Sequence, residues 1–154
     1  MERFRPNLVV AGGALRTGAG GHLAGAAVMA AQLGAALVQG GGWSSAAGAA
    51  SIPAFFMTFN LLLLNEFPDE EADRFGGRRN LVILLGRKLA ARVYALAALA
   101  TPTSIIVAVV LEMLPVACLA AALPSLLLAK PLAWALGDVR EDVPVPALAA
   151  NVVW

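Results

Sequence analysis

Apolar residues fall along this chain in four long blocks, separated by brief polar interruptions and one dense charged stretch. The first, Ala19 to Gln39 (AGGHLAGAAVMAAQLGAALVQ), carries no charge while His22 is neutral. It is long enough to cross a bilayer, which takes about 20 apolar residues. The second block runs from about Ser45 to Leu64, the third from about Ala90 to Leu111, and the fourth from Pro115 to Leu136. A turn holding Glu112 divides the last two, and a further apolar segment opens near residue 146 and runs to Trp154. The pattern predicts an all-α, polytopic transmembrane helical bundle. It has four complete spans and the start of a fifth, in one transmembrane domain over residues 1–154, with a motif-bearing loop at 65–89.

Composition agrees: 60% of the residues are hydrophobic and only 14% charged, far from the profile of a soluble domain. A net charge of +1, with no basic face interleaved with aromatics, argues against a nucleic-acid partner. Cys118 is the single cysteine, so no intrachain disulfide forms. Arg3, Arg5 and Arg16 precede the first span, and Arg74, Arg78, Arg79, Arg87, Lys88 and Arg92 cluster between the second and third. The two opposite loops, GGGWSS and the Glu112 turn, have neither lysine nor arginine. Flanking positive charge stays on the cytoplasmic side, which places the amino terminus, the charged loop and the GDVREDVP segment there. In a bacterium this is a multi-pass protein of the inner membrane.

The amino-terminal stretch MERFRPNLVVAGGALRTGA has a basic start, but its apolar run is broken by Gly12 and Gly13 and ends in Arg16, so no cleaved signal peptide is expected. The glycines of GAGGHLAG fail the dinucleotide-binding spacing, because Leu23 stands where a third glycine is needed. Gly21 and Gly25 instead make a small-residue ridge for close helix packing. His22 has no companion ligand and reads as an interfacial or packing residue. Gln32, Asn60 and Asn151 read as interhelical hydrogen-bonding groups, and Trp43, Trp134 and Trp154 as interfacial anchors.

Nearly all the chemistry gathers in LNEFPDEEADRFGGRRN, residues 64–80, which holds five acids and three arginines. Pro68 disfavours a helical Phe67 and suits the first position of a new helix, so the second span should stop near Glu66 and restart. Asn65, Asp69 and Asp73 are spaced by four, which in a helix puts the two aspartates on one face. Two carboxylates so placed suit Mg²⁺, which binds through one or two carboxylates plus substrate phosphates. The acids also have a purely local explanation, because Asp69, Glu70 and Glu71 in a first turn offset the helix dipole. Arg78 and Arg79, after Gly76 and Gly77, offer donors suited to phosphate oxygens. Lys130 lies within the fourth span about 9 Å from its inner end, where it either snorkels or faces a cavity near the charged loop.

NEFPDEEADRFGGRRNLVILLGR, Asn65 to Arg87, resembles the second aspartate-rich motif of the UbiA superfamily of intramembrane prenyltransferases, especially the dihydroxynaphthoate prenyltransferases of menaquinone synthesis. There an Asn-x-x-x-Asp-x-x-x-Asp run leads to a Gly-Lys-Arg-Thr-Leu-like segment and a Leu-Gly. Asn65, Asp69, Asp73, Gly77, Arg78, Arg79, Leu81, Leu85 and Gly86 fall on that pattern. Asn80 stands where threonine is common, and Leu84 where a basic residue is often found. The resemblance implies Mg²⁺-dependent transfer of a polyprenyl group from its diphosphate to an aromatic acceptor, within a lipid bilayer. Asp69 and Asp73 would be the catalytic metal ligands, with Asn65, Arg78, Arg79 and Lys130 toward the diphosphate. The family fold has nine transmembrane helices and a first aspartate-rich motif that has no counterpart here. The resemblance therefore implies a carboxy-terminal half, whose missing amino-terminal half or split partner completes the site and without which this chain is inactive.

Two other readings fit the same residues. ADRFGGRRN is similar to the cytoplasmic loop of major facilitator transporters, although Asp69 stands where that loop has glycine and Gly77 adds a residue before the arginines. A membrane subunit that retains the fold without the chemistry is the other, and the absence of a first motif favours it.

Overall fold

A computed structural model describes residues 20–40, 42–137, 139 and 144–153, with side chains over 26–40, 42–137, 139 and 144–151. The amino-terminal arginines, the side chains of His22, Gly21 and Gly25, most of the GDVREDVP segment, and Trp154 lie outside the described residues. The helices follow the apolar blocks. They are α1 (Gly20–Gly40), α2 (Ser45–Asn65), the short α3 (Glu70–Phe75) and α4 (Leu81–Leu85), and α5 (Arg87–Val110). A 3₁₀ helix (Val116–Leu128) then continues into α6 (Ala129–Leu136), and α7 (Val145–Val153) comes last. No strand occurs among the described residues. Three stretches, Ser45–Asn65, Arg87–Val110 and Val116–Leu136, are long and apolar enough to cross a membrane, so the chain is an integral membrane helical bundle.

Proline and hydroxyl residues shape the long helices. Ser44 caps α2 by accepting the Ala47 N–H at 3.3 Å. Within α5, Pro102 removes one backbone donor, and the neighbouring Thr101 and Thr103 hydroxyls donate to the Ala97 and Leu99 carbonyls at 3.3 and 2.7 Å. Such local bonds let proline persist where no water reaches the backbone. The fourth apolar block is not a uniform α-helix: Pro115 opens it, Pro124 lies inside it, and the 13 residues after Pro115 wind as 3₁₀. At about 2.0 Å of rise per residue, that stretch reaches further than an α-helix of equal length.

α5 ends in a Schellman motif, with Glu112 N–H bonding the Val109 carbonyl at 3.0 Å and Met113 N–H bonding that of Ala108 at 2.9 Å. Glu112 takes the left-handed conformation there, at φ 57°, where glycine is usual. That conformation costs a non-glycine residue about 1–2 kcal/mol, which the two carbonyl bonds offset.

Packing closes a ring: α1 lies on α2, α2 on α5, α5 on the 3₁₀ helix and α6, α6 on α7, and α7 back on α2. The seam is lined by small residues, since α5 buries Ala90, Ala91, Ala95, Ala97 and Ala98 beside Tyr94, allowing close backbone approach. Leu63, Leu64, Phe67, Val82, Ala90, Ala91, Tyr94 and Ala135 form the tightest part of the core. These residues sit at the charged-loop end of the bundle, so the loop rests directly on packed side chains.

Candidate functional site in the charged loop

α2 stops at Asn65, as the sequence predicts, but the restart comes later than Pro68. Glu66 and Phe67 N–H groups bond back to the Leu63 and Leu64 carbonyls at 3.2 and 3.4 Å, tightening the end of α2 into a turn that carries Pro68. The first helical residue of α3 is Glu70, with Asp69 at the N-cap and no side-chain capping bond. Asp73 N–H bonds the Asp69 carbonyl at 2.8 Å, which sets the two aspartates one helical turn apart. Asp69 and Asn65 are exposed, whereas Asp73 is half-buried.

Glycines set the path of the chain beyond α3. That helix closes in a Schellman motif with Gly77 at φ 71°: Gly77 N–H meets the Arg74 carbonyl at 3.2 Å, and Arg78 N–H meets that of Asp73 at 2.8 Å. The Arg78 backbone is thereby folded over Asp73, and its Nη1 donates to Asp73 Oδ1 at 3.0 Å. This bond holds the Arg78 pKa above its ordinary value. Asn80 Nδ2 donates to the other carboxylate oxygen, Oδ2, at 3.0 Å, while its own Oδ1 accepts the Ile83 N–H at 2.8 Å and caps α4. Gly86, at φ 77° and ψ 154°, occupies a region essentially restricted to glycine and turns α4 into α5.

Sequence reasoning passed over four residues that hold this loop. Glu66 Oε2 accepts the Leu81 N–H at 2.9 Å. Glu70 pairs with Arg74 at 2.8 Å and with Arg87 at 2.9 Å, and Arg87 also donates to the Phe67 carbonyl at 3.4 Å. A signal for Asn80 existed in its type and place, an N-cap residue directly before an apolar run. Glu66 and Arg87 left no such trace, because their partners lie 15 and 17 positions away. Among the other predicted residues, Arg79 is exposed and forms no ion pair among the described residues. Lys130 is exposed in the first turn of α6 and likewise takes no part in the loop's bonds.

Burial raises the Glu66 carboxyl above its ordinary value; bonds from the Leu81 and Val82 backbone pull the other way, and the nearby Asp73 charge adds to the rise. Because the folded protein holds this proton more tightly than the unfolded chain, its contribution is complete below the unfolded value and is lost as pH rises through the folded one. Glu66→Gln keeps an acceptor for Leu81 and removes the ionisation. We expect its melting temperature in detergent to fall less than the parent's as pH rises from about 4, near the ordinary carboxylate value, to about 8. Parallel curves would mean that Glu66 does not couple folding to pH.

A ladder of rings ties loop to bundle. The Arg87 guanidinium lies 5.5 Å over the Phe67 ring, Phe67 meets Trp134 edge-on at 5.4 Å, and Trp134 meets Tyr94 at 6.1 Å. Trp134, partly buried, thus also packs on the core through Phe67 and Tyr94, a role its position near the end of a span does not show. Asn60 is fully buried, and neither its Oδ1 nor its Nδ2 has a partner among the described residues, so the expected interhelical bond is not seen among them.

No group of three or more metal-ligating side chains occurs among the described residues. What is present is a pair of hard oxygen donors one turn apart, which fits an ion shared with a phosphorylated substrate and does not fit a cage made wholly by protein. α2 and α5 border two open apolar hollows, one of about 310 Å³ beside Phe55, Phe59, Val93 and Ala100, and one of about 410 Å³ toward the end of the bundle away from the loop, where Met29 and Leu33 of α1 join Gly48, Ile52, Ser104 and Val107. Gly48, Ile52, Phe55 and Phe59 recur every three or four residues along α2, so both hollows border one face of that helix. The Ser51 and Ser104 hydroxyls donate to their own helices, to the Gly48 and Thr101 carbonyls, leaving the lining apolar in effect.

Over residues 14–151, the sequence matches the UbiA prenyltransferase family. No curated protein and no solved structure matches it.

Proposed function

Because the chain belongs to the UbiA prenyltransferase family, we propose that it carries the diphosphate-holding part of a Mg²⁺-dependent transfer of a polyprenyl group to an aromatic acceptor, of the kind used in quinone and menaquinone synthesis. The observation that carries this reading is the pair Asp69 and Asp73, one helical turn apart on a loop pinned to the end of the bundle. The family match favours it over the transporter resemblance.

Asp69 and Asp73 would hold Mg²⁺, with Asn65 supporting them, and Arg78, Arg79 and Lys130 would neutralise diphosphate oxygens. Bound there, Mg²⁺ supplies Lewis-acid stabilisation of the charge that builds on the departing diphosphate as the allylic C–O bond breaks. The arginines assist to the extent that they bind that charge more tightly in the transition state than in the substrate. The apolar hollow between α2 and α5 beside Phe55 and Phe59 suits the prenyl tail, and its apolar walls would keep water from the allylic cation. We further propose that the loop faces the cytoplasm, at the inner membrane in a bacterium, from the asymmetry of lysine and arginine. Transfer would then need an amino-terminal half or a split partner bearing the first aspartate-rich motif, and this chain alone would bind without turning over.

The experiment is a titration of the detergent-solubilised chain with geranylgeranyl diphosphate, with Mg²⁺ and then with chelator. Binding is expected only with the metal. Equal binding in chelator would overturn the reading.

A further inference from the structure

The two candidate metal ligands are not in the same state. Asp69 is exposed and its side chain makes no capping bond, whereas both carboxylate oxygens of Asp73 are already engaged, Oδ1 by Arg78 and Oδ2 by Asn80, each at 3.0 Å. The two partners differ in kind. Asn80 is buried and fixed, because the same amide caps α4 through Ile83. Arg78 is held only at its base, by the Gly77 turn and its backbone bond to Asp73, and its side chain is 65% exposed. A cation approaching Asp73 therefore meets one oxygen whose partner is built in and one whose partner is a solvent-exposed positive charge. An exposed ion pair of this kind is weak and yields readily to a stronger competitor.

We infer that Arg78 is a stand-in counter-ion. It neutralises Asp73 while no metal is bound, yields Oδ1 to the divalent cation, and, released, turns the same guanidinium to the diphosphate that arrives with that cation. Asn80 keeps the other oxygen oriented throughout, as a positioning residue. No bond beyond hydrogen bonds and coordination changes in this exchange, and charge is conserved because the cation replaces the guanidinium at Asp73 as the diphosphate takes it up. The inference rests on the metal role proposed for Asp69 and Asp73. It adds that Arg78 opposes the metal alone and favours the metal with substrate, a reversal that neither a simple phosphate-binding arginine nor a structural one produces.

The test measures Mn²⁺ alone, by its electron paramagnetic resonance signal, and then geranyl diphosphate at saturating Mn²⁺. Arg78→Gln is expected to bind Mn²⁺ alone more tightly, by up to about fivefold, since that is the span of an exposed ion pair. The same variant should bind geranyl diphosphate at least about tenfold more weakly, the loss of a hydrogen bond to a charged group. Arg79→Gln, at a residue without an ion pair among those described, should weaken the diphosphate and leave Mn²⁺ alone unchanged. Because the Arg78 pair is exposed, the melting temperature of Arg78→Gln reports whether the fold is intact. A Mn²⁺ affinity that is unchanged or lower in Arg78→Gln overturns the exchange while the aspartates' role stands. Mn²⁺ binding that survives both Asp69→Ala and Asp73→Ala overturns the reading beneath it.

Discussion

Alanine at Asp69 is expected to lower the Mg²⁺-dependent affinity for a prenyl diphosphate by at least about 100-fold, the upper end of what losing even an outer-shell partner of a metal costs. Its fold should be untouched, because Asp69 is exposed and makes no side-chain capping bond. Asp73→Ala should lose binding to the same extent but also lose stability. Its carboxylate holds Asn80, which is 6% exposed, and a buried amide left without its acceptor costs about 1–3 kcal/mol. The contrast makes Asp69 the cleaner probe of metal binding and Asp73→Asn the better second variant, since it keeps a polar group near Arg78 and Asn80. Asn65→Ala should have a smaller effect than either, for Asn65 is the last residue of α2 and lies before the turn that sets Asp69. Calorimetric titration with and without Mg²⁺ separates the three. An Asp69→Ala protein that binds as the parent does would remove the metal from the proposed chemistry.

How much of this was visible in the sequence depends on the range over which each feature is set. The apolar blocks placed α2, α5 and the Val116–Leu136 span within a few residues, because length and hydropathy decide membrane crossing almost alone. The one-turn spacing of Asp69 and Asp73 was legible for the same reason: a helix converts sequence separation directly into geometry. What escaped was whatever depends on two distant segments meeting. Arg78 was read as a phosphate donor, and nothing local shows that a glycine-closed helix end folds it back onto Asp73. Glu66 and Arg87 look like ordinary loop charges until Leu81 and Glu70 are brought beside them. Trp134, two residues before the end of its helix, has the signature of an interfacial anchor, and its packing on Phe67 and Tyr94 from other elements leaves no local trace. The winding of Val116–Leu128 as 3₁₀ was hidden too, since an apolar run with two prolines nearby carries no period that separates it from an α-helix.

Phe67→Ala is expected to destabilise the bundle by about 3–5 kcal/mol, the usual cost of emptying a buried aromatic site. Phe67 is 1% exposed although it belongs to the loop, not to a span. Its ring touches both the Arg87 guanidinium and, in an edge-type contact, the Trp134 ring, and its carbonyl accepts from Arg87. Truncation therefore removes both ring contacts, and the cavity cannot close easily because the neighbouring residues are held elsewhere: Arg87 by Glu70, and Trp134 by Tyr94. A loss of that size is a large share of the 5–15 kcal/mol that typically separates folded from unfolded protein. Phe67→Leu, which refills most of the volume without the ring, should cost clearly less. Thermal unfolding in detergent orders the three proteins, and the loop supplies a second readout. If Phe67 is what seats the Asp69–Asp73 turn on the bundle, Phe67→Ala should weaken Mg²⁺-dependent diphosphate binding even at temperatures where it is fully folded. A Phe67→Ala protein with the parent's melting temperature would show that the Glu70–Arg87 pair and the Glu66–Leu81 bond hold the loop without the ring.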